Sequence, residues 1–138
     1  MKKFIVLLIF LSSTIIVAQN IDRDSIIGSW KVVKIEKSPN KVNFKSVVDG
    51  YRKATFQLKK DSTMVLKSDS SNAIFSYILK SVKKASWIVN DSTVLVGNEK
   101  NKYSIMRIKV SKNKNGTFFN LSADERLPLV LKMEKQKE

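Results

Sequence analysis

Neither cysteine nor histidine occurs anywhere in the 138 residues. Without cysteine the chain can form no disulfide, no thiolate metal site and no thiol nucleophile. It also lacks the lipid-bearing cysteine that a bacterial lipoprotein carries directly after its leader, so no membrane anchor of that kind is expected. Without histidine there is no imidazole ligand and no imidazole general base. Four glycines, widely scattered, are too few for a phosphate-cradling loop.

Acidic residues are scarce as well, 12 against 26 basic ones, and they do not cluster. Asp61, Asp69 and Asp91 fall in turns or loops. Asp22 and Asp24 precede the strands, and Glu134 and Glu138 sit near the tail. Asp124-Glu125 is an adjacent pair in a loop before Pro128 and reads as a solvated turn. A general acid–base pair needs two carboxylates converging on one cavity, and the spacing offers none. We therefore expect no catalytic residue, no metal and no cofactor, and a non-enzymatic role.

What the sequence does contain begins with a leader. Lys2 and Lys3 are followed by the apolar run Phe4 to Phe10, then by Ile15-Ile16-Val17 and the small residue Ala18. This is the charged, apolar, small-residue order of a signal peptide. A membrane-spanning helix would need about 20 predominantly apolar residues, whereas polar positions interrupt this stretch at Ser12, Ser13 and Thr14. Cleavage after Ala18 or Gln19 would release one domain, residues 19–138, as a soluble periplasmic or secreted protein. Its length suits one core.

Loss of Lys2 and Lys3 lowers the formal net charge only from +14 to +12. Such an excess favours anionic partners: nucleic acid, polyanionic glycan or an anionic membrane face. The excess is mostly lysine, which reads first as a solvated surface. Arginines are few (Arg23, Arg52, Arg107 and Arg126). Bidentate readout of phosphate and bases favours arginine, so no nucleic-acid partner is expected. Phe118-Phe119 beside Lys112 and Lys114 offers one aromatic–basic patch, with one ring turned inward and the other exposed.

Apolar residues recur mostly with period two. Gly28 to Lys37 reads as a long first strand with a bulge or strong twist near Val32, where the apolar face changes. Phe44 to Tyr51 reads as one short helical turn limited by Gly50. Further strands are expected over Lys53–Lys60, Thr63–Ser68, Ala73–Lys80, Ala85–Asn90, Thr93–Asn98, Tyr103–Val110, Thr117–Ser122 and Leu129–Glu134. Asn115-Gly116 predicts a type I′ hairpin. Asp61-Ser62-Thr63 and Asp91-Ser92-Thr93 predict two similar tight turns between antiparallel neighbours. The fold class is thus all-β, a small antiparallel up-and-down barrel of about eight or nine strands with one short helical turn. Closure would remove the exposed edges.

Alternation then points Phe56, Leu58, Met64, Leu66, Phe75, Tyr77, Met106 and Ile108 inward, with Leu129 and Leu131. A barrel of this size is either filled by side chains or holds one small ligand. If it holds one, those first eight residues are the candidate ligand-binding lining, with Tyr77 as a polar anchor.

Ile26-Ile27-Gly28-Ser29-Trp30-Lys31-Val32 carries the Gly-X-Trp opening of the lipocalin superfamily, on the first strand just after the N-terminal segment. The aromatic strand Thr55 to Asp61 and the tryptophan-containing segment Trp87 to Asp91 strengthen the likeness. Over residues 26–134 the chain resembles small exported bacterial lipocalin-like (calycin) domains. The resemblance implies that Gly28 and Trp30 close the base of the barrel and that a late arginine, Arg126 or Arg107, packs on the Trp30 ring. It also implies a small hydrophobic or amphipathic ligand held inside. The other reading of the same residues is a solid barrel whose surface binds an anionic envelope component or a protein partner.

Overall fold

β-Branched and aromatic residues at alternate positions build eight strands rather than nine among the described residues. The computed structural model describes residues 20–121 and 126–138; the expected signal segment and the Asp124-Glu125 pair lie outside them. The strands are β1 (Gly28–Lys37), β2 (Ala54–Leu58), β3 (Met64–Ser68), β4 (Ser86–Asn90), β5 (Thr93–Gly97), β6 (Met106–Asn113), β7 (Gly116–Asn120) and β8 (Val130–Lys135). They form one antiparallel sheet in the order β3-β2-β1-β8-β7-β6-β5-β4. The sheet curls into a nearly closed barrel. Its two edge strands touch at the isolated Thr63–Ser86 bridge, where Met64 N–H donates to Ala85 O and Trp87 N–H donates to Ser62 O.

The change of face in β1 is a bulge. Val32 lies opposite Met133 and Lys34 opposite Lys132, so Val33 is the extra residue, and it is exposed. A second irregularity follows between Ile35 and Lys37. These bulges bend the longest strand around the barrel.

Among the described residues three α-helices accompany the sheet, α1 (Arg23–Ile26), α2 (Lys45–Arg52) and α3 (Ala73–Val82), with a 3-10 turn over Val42–Phe44 leading into α2. The short helix expected around Phe44 to Tyr51 is α2, which includes Gly50 and ends at Arg52. The expected strand over Ala73–Lys80 is α3. Phe75, Ile78, Leu79 and Val82 recur at helical spacing and pack against the core. Asn72 caps the helix, its Oδ1 accepting from the amides of Ile74 and Phe75.

The turns also differ in detail from expectation. In the β6–β7 hairpin Asn113 pairs with Gly116, so the loop residues are Lys114 and Asn115. Positive φ falls on Gly116 alone, and no Asn115-Gly116 type I′ turn forms. The two Asp-Ser-Thr segments do join antiparallel neighbours. However, Ser62 is left-handed in the first and Asp91 in the second, so similar residues make different turns.

Candidate functional site

The barrel interior is occupied by its own side chains. Trp30, Phe119, Phe56, Tyr51 and Phe75 form a continuous chain of rings. Trp30 to Phe119 is 5.6 Å between centroids, Phe119 to Phe56 5.6 Å edge-on, Phe56 to Tyr51 6.1 Å stacked, and Tyr51 to Phe75 4.9 Å edge-on. These are the separations of packed aromatic pairs. Burial pushes the Tyr51 phenol well above its ordinary range, so it stays neutral within this stack. Phe56, Leu58, Met64, Leu66, Phe75 and Ile108, all of the candidate ligand lining, belong to the same buried cluster, and Met106 packs against it half-buried.

Tyr77 is the exception. The strand reading turned it inward with Phe75. In α3 the two residues lie on different faces, and Tyr77 is 73% exposed. It cannot anchor anything inside the barrel.

The barrel base is closed from the N-terminal side. Trp30 is buried and its Nε1 donates to Ile26 O at 2.9 Å. The cation over the Trp30 ring is Lys135, 5.6 Å from the centroid and opposite Trp30 in the β1–β8 register. A lysine of the last strand therefore stands where the resemblance implied Arg126 or Arg107. Arg107 points outward from β6, opposite Leu95, and Arg126 lies in an exposed turn. Gly28 has φ +140°, a conformation side chains rarely adopt, and a Cβ there would meet Lys135 Cε at 2.8 Å. The glycine of the Gly-X-Trp opening thus has a backbone reason of its own.

Sequence reasoning missed a second closure. The Arg23 guanidinium lies 4.7 Å from the centre of the Trp87 ring. It also donates to Lys60 O at 3.0 Å and Ser62 Oγ at 2.9 Å. Trp87 Nε1 donates to Lys59 O at 3.1 Å, and Ile21 N–H donates to Asp91 O at 3.0 Å. The N-terminal segment thereby ties together the two hairpins that meet at the seam. The clue available in the sequence was an arginine just before the strands in a chain otherwise rich in lysine.

With the interior packed, the depressions among the described residues lie on the outer surface. One depression of about 450 Å³ lies over β6, β7 and the end of β1, lined by Lys37, Lys109, Asn113, Asn120 and Phe118, with Glu36 among them. Phe118 faces outward as expected, flanked in register by Ser111 and Lys132, yet it is only 9% exposed. It is therefore not a free stacking platform.

The second region follows α3. A groove of about 220 Å³ has Val65, Leu66 and Leu79 as its floor and Lys80 and Lys83 on its rim. A neighbouring hollow of about 260 Å³ shares both lysines and adds Ser81, Lys84, Asn98 and Ile105. No carboxylate lines either one. Between Asp69 and Asp91 the sequence carries three lysines and no acid. Of the two regions, α3 and its flanks form the more uniformly positive one.

Among the described residues no helix is long and apolar enough to cross a membrane. Comparison with protein-family models, with curated proteins and with solved structures finds no match to this chain.

Proposed function

We propose that this chain is an exported, non-enzymatic lipocalin-like binding protein that uses the outside of a filled barrel to hold an anionic component of the cell envelope. The observation that carries this reading is the unbroken ring chain from Trp30 to Phe75 through the interior. Opening a ligand cavity there would forfeit packing in which loss of one large aromatic side chain costs about 3–5 kcal/mol. The charge supports the same conclusion. Among the described residues no charged side chain is buried, so the basic excess is presented to solvent. The ion pairs Lys34–Glu36 and Arg52–Asp49 are exposed and long, at 3.4 and 3.9 Å, and neutralise little of it.

The test is binding of the purified protein to two polyanions, alginate and phosphatidylglycerol vesicles, across a salt series. Capture of at least one at about 50 mM salt, with release by about 500 mM, is the expected result, because exposed charges are screened over that range. Fatty acids should leave the melting temperature unchanged. Salt-independent behaviour together with a fatty-acid-induced rise in melting temperature would return the function to the interior.

A further inference from the structure

The outward stripe of α3 is where large apolar side chains and uncompensated cations coincide. Ile74, Tyr77 and Ser81 follow one another at three- and four-residue steps, so they share a face of the helix, and Lys83 and Lys84 follow in the turn that ends it. Ile74 is 54% and Tyr77 73% exposed, in contrast to the buried Phe75 and Val82 on the opposite face. Ile105, another exposed apolar side chain, lines the hollow with Lys80, Lys83 and Lys84. Stray surface apolar residues are ordinary. A short helix that exposes isoleucine and tyrosine near its start and is followed by a run of lysines, Lys80 in its last turn and Lys83 and Lys84 just beyond it, is patterned.

We propose that α3 docks this protein onto the surface of an anionic lipid bilayer. Ile74 and Tyr77 enter the headgroup–acyl boundary, and Lys80, Lys83 and Lys84 reach the lipid phosphates. The inference rests on the outward-binding reading above and names its partner. Charge complementarity selects the occupant, since the stripe and its flanking hollows hold three ammonium groups and no carboxylate. The apolar contribution selects a bilayer over a soluble polyanion. A glycan or free phosphate would be indifferent to Ile74, whereas a lipid boundary accepts an aliphatic side chain and favours a tyrosine with one apolar and one wet end. Lysine stems can lie along such a boundary while their ammonium groups stay in water.

The test is co-sedimentation of the full protein with vesicles of phosphatidylcholine alone and with about one third phosphatidylglycerol, each lysine near the anionic surface being worth roughly fivefold in affinity. Three variants are compared with wild type: Ile74→Ser with Tyr77→Ser; Lys80→Gln with Lys83→Gln and Lys84→Gln; and a control of equal charge on the sheet face, Lys34→Gln with Lys109→Gln and Lys132→Gln. All these positions are exposed or half-buried, and thermal melts verify that each variant folds. The expected result is binding to the anionic vesicles only. The α3 lysine variant should then weaken about a hundredfold and the control far less, and the Ile74/Tyr77 variant about tenfold. Equal weakening by both lysine variants, or no effect of the apolar pair, would overturn the docking site. Salt-sensitive binding of wild type to alginate but not to vesicles would overturn the bilayer as partner while leaving the outward-binding function standing.

Discussion

Gly50 is where two ordinary rules for single residues conflict. Replacing a helix-interior glycine by alanine usually gains about 1 kcal/mol. Here a Cβ would overlap the ring of Phe75, which packs edge-on against Tyr51. Phe75 is fully buried and has nowhere to retreat. Overpacking of this kind costs about 1–3 kcal/mol, so Gly50→Ala should lower stability. Chemical denaturation that found the variant more stable than wild type would show that the ring can move. Nothing in the sequence marks this contact: Gly50 reads only as a limit on helix length, and the packing of α2 on α3 reveals it as a seat for a ring. Trp30 and Gly28 were legible because a short motif and its position announced them. Lys135 was not, since any of the late cations could have met the ring.

Among the elements, α3 shows how period fails over a short stretch. Alternation from Ala73 to Lys80 fits a strand, and Phe75, Ile78, Leu79 and Val82 fit a helix face. What separates them is the cap. Asn72 satisfies two amides that a strand would have left to a neighbour. Asn72→Ala should therefore destabilise the protein by about 1 kcal/mol, read as a shift in the denaturation midpoint; an unchanged midpoint would mean the helix is held by packing alone. The misreading reached the candidate site directly, because it turned Tyr77 inward. The hairpin strands were legible because their turn residues bracket them, as Asp61 does. There the Thr63 hydroxyl, and then its amide, bond to the carboxylate and hold its pKa below the ordinary value.

For the molecule as a whole, closure is uneven. β1 and β8 share a ladder running from Trp30–Lys135 to Lys37–Val130, whereas β3 and β4 meet at one bridge. Local opening takes the least-bonded route. Hydrogen exchange should therefore find the amides of Met64 and Trp87, which cross the seam, exchanging faster than those of Val32 and Met133 in the β1–β8 ladder. Equal protection would mean that the Arg23 staple makes the seam as firm as the rest. The all-β barrel was legible from composition and period. Its incomplete seam was not, because strand pairing between β3 and β4 depends on where α3 sits.

The β1–β8 ladder also fixes an order of events. It joins the first strand to the last, so its contacts are the most remote in the chain. Loop-closure entropy must be met before such contacts give any return. Until β8 has been synthesised, β1 can pair only with β2, and the aromatic interior cannot close around Phe119. A chain whose final fold waits on its eighth strand keeps its aromatic interior open until that strand has been made, so its folding is governed by its latest-made residues.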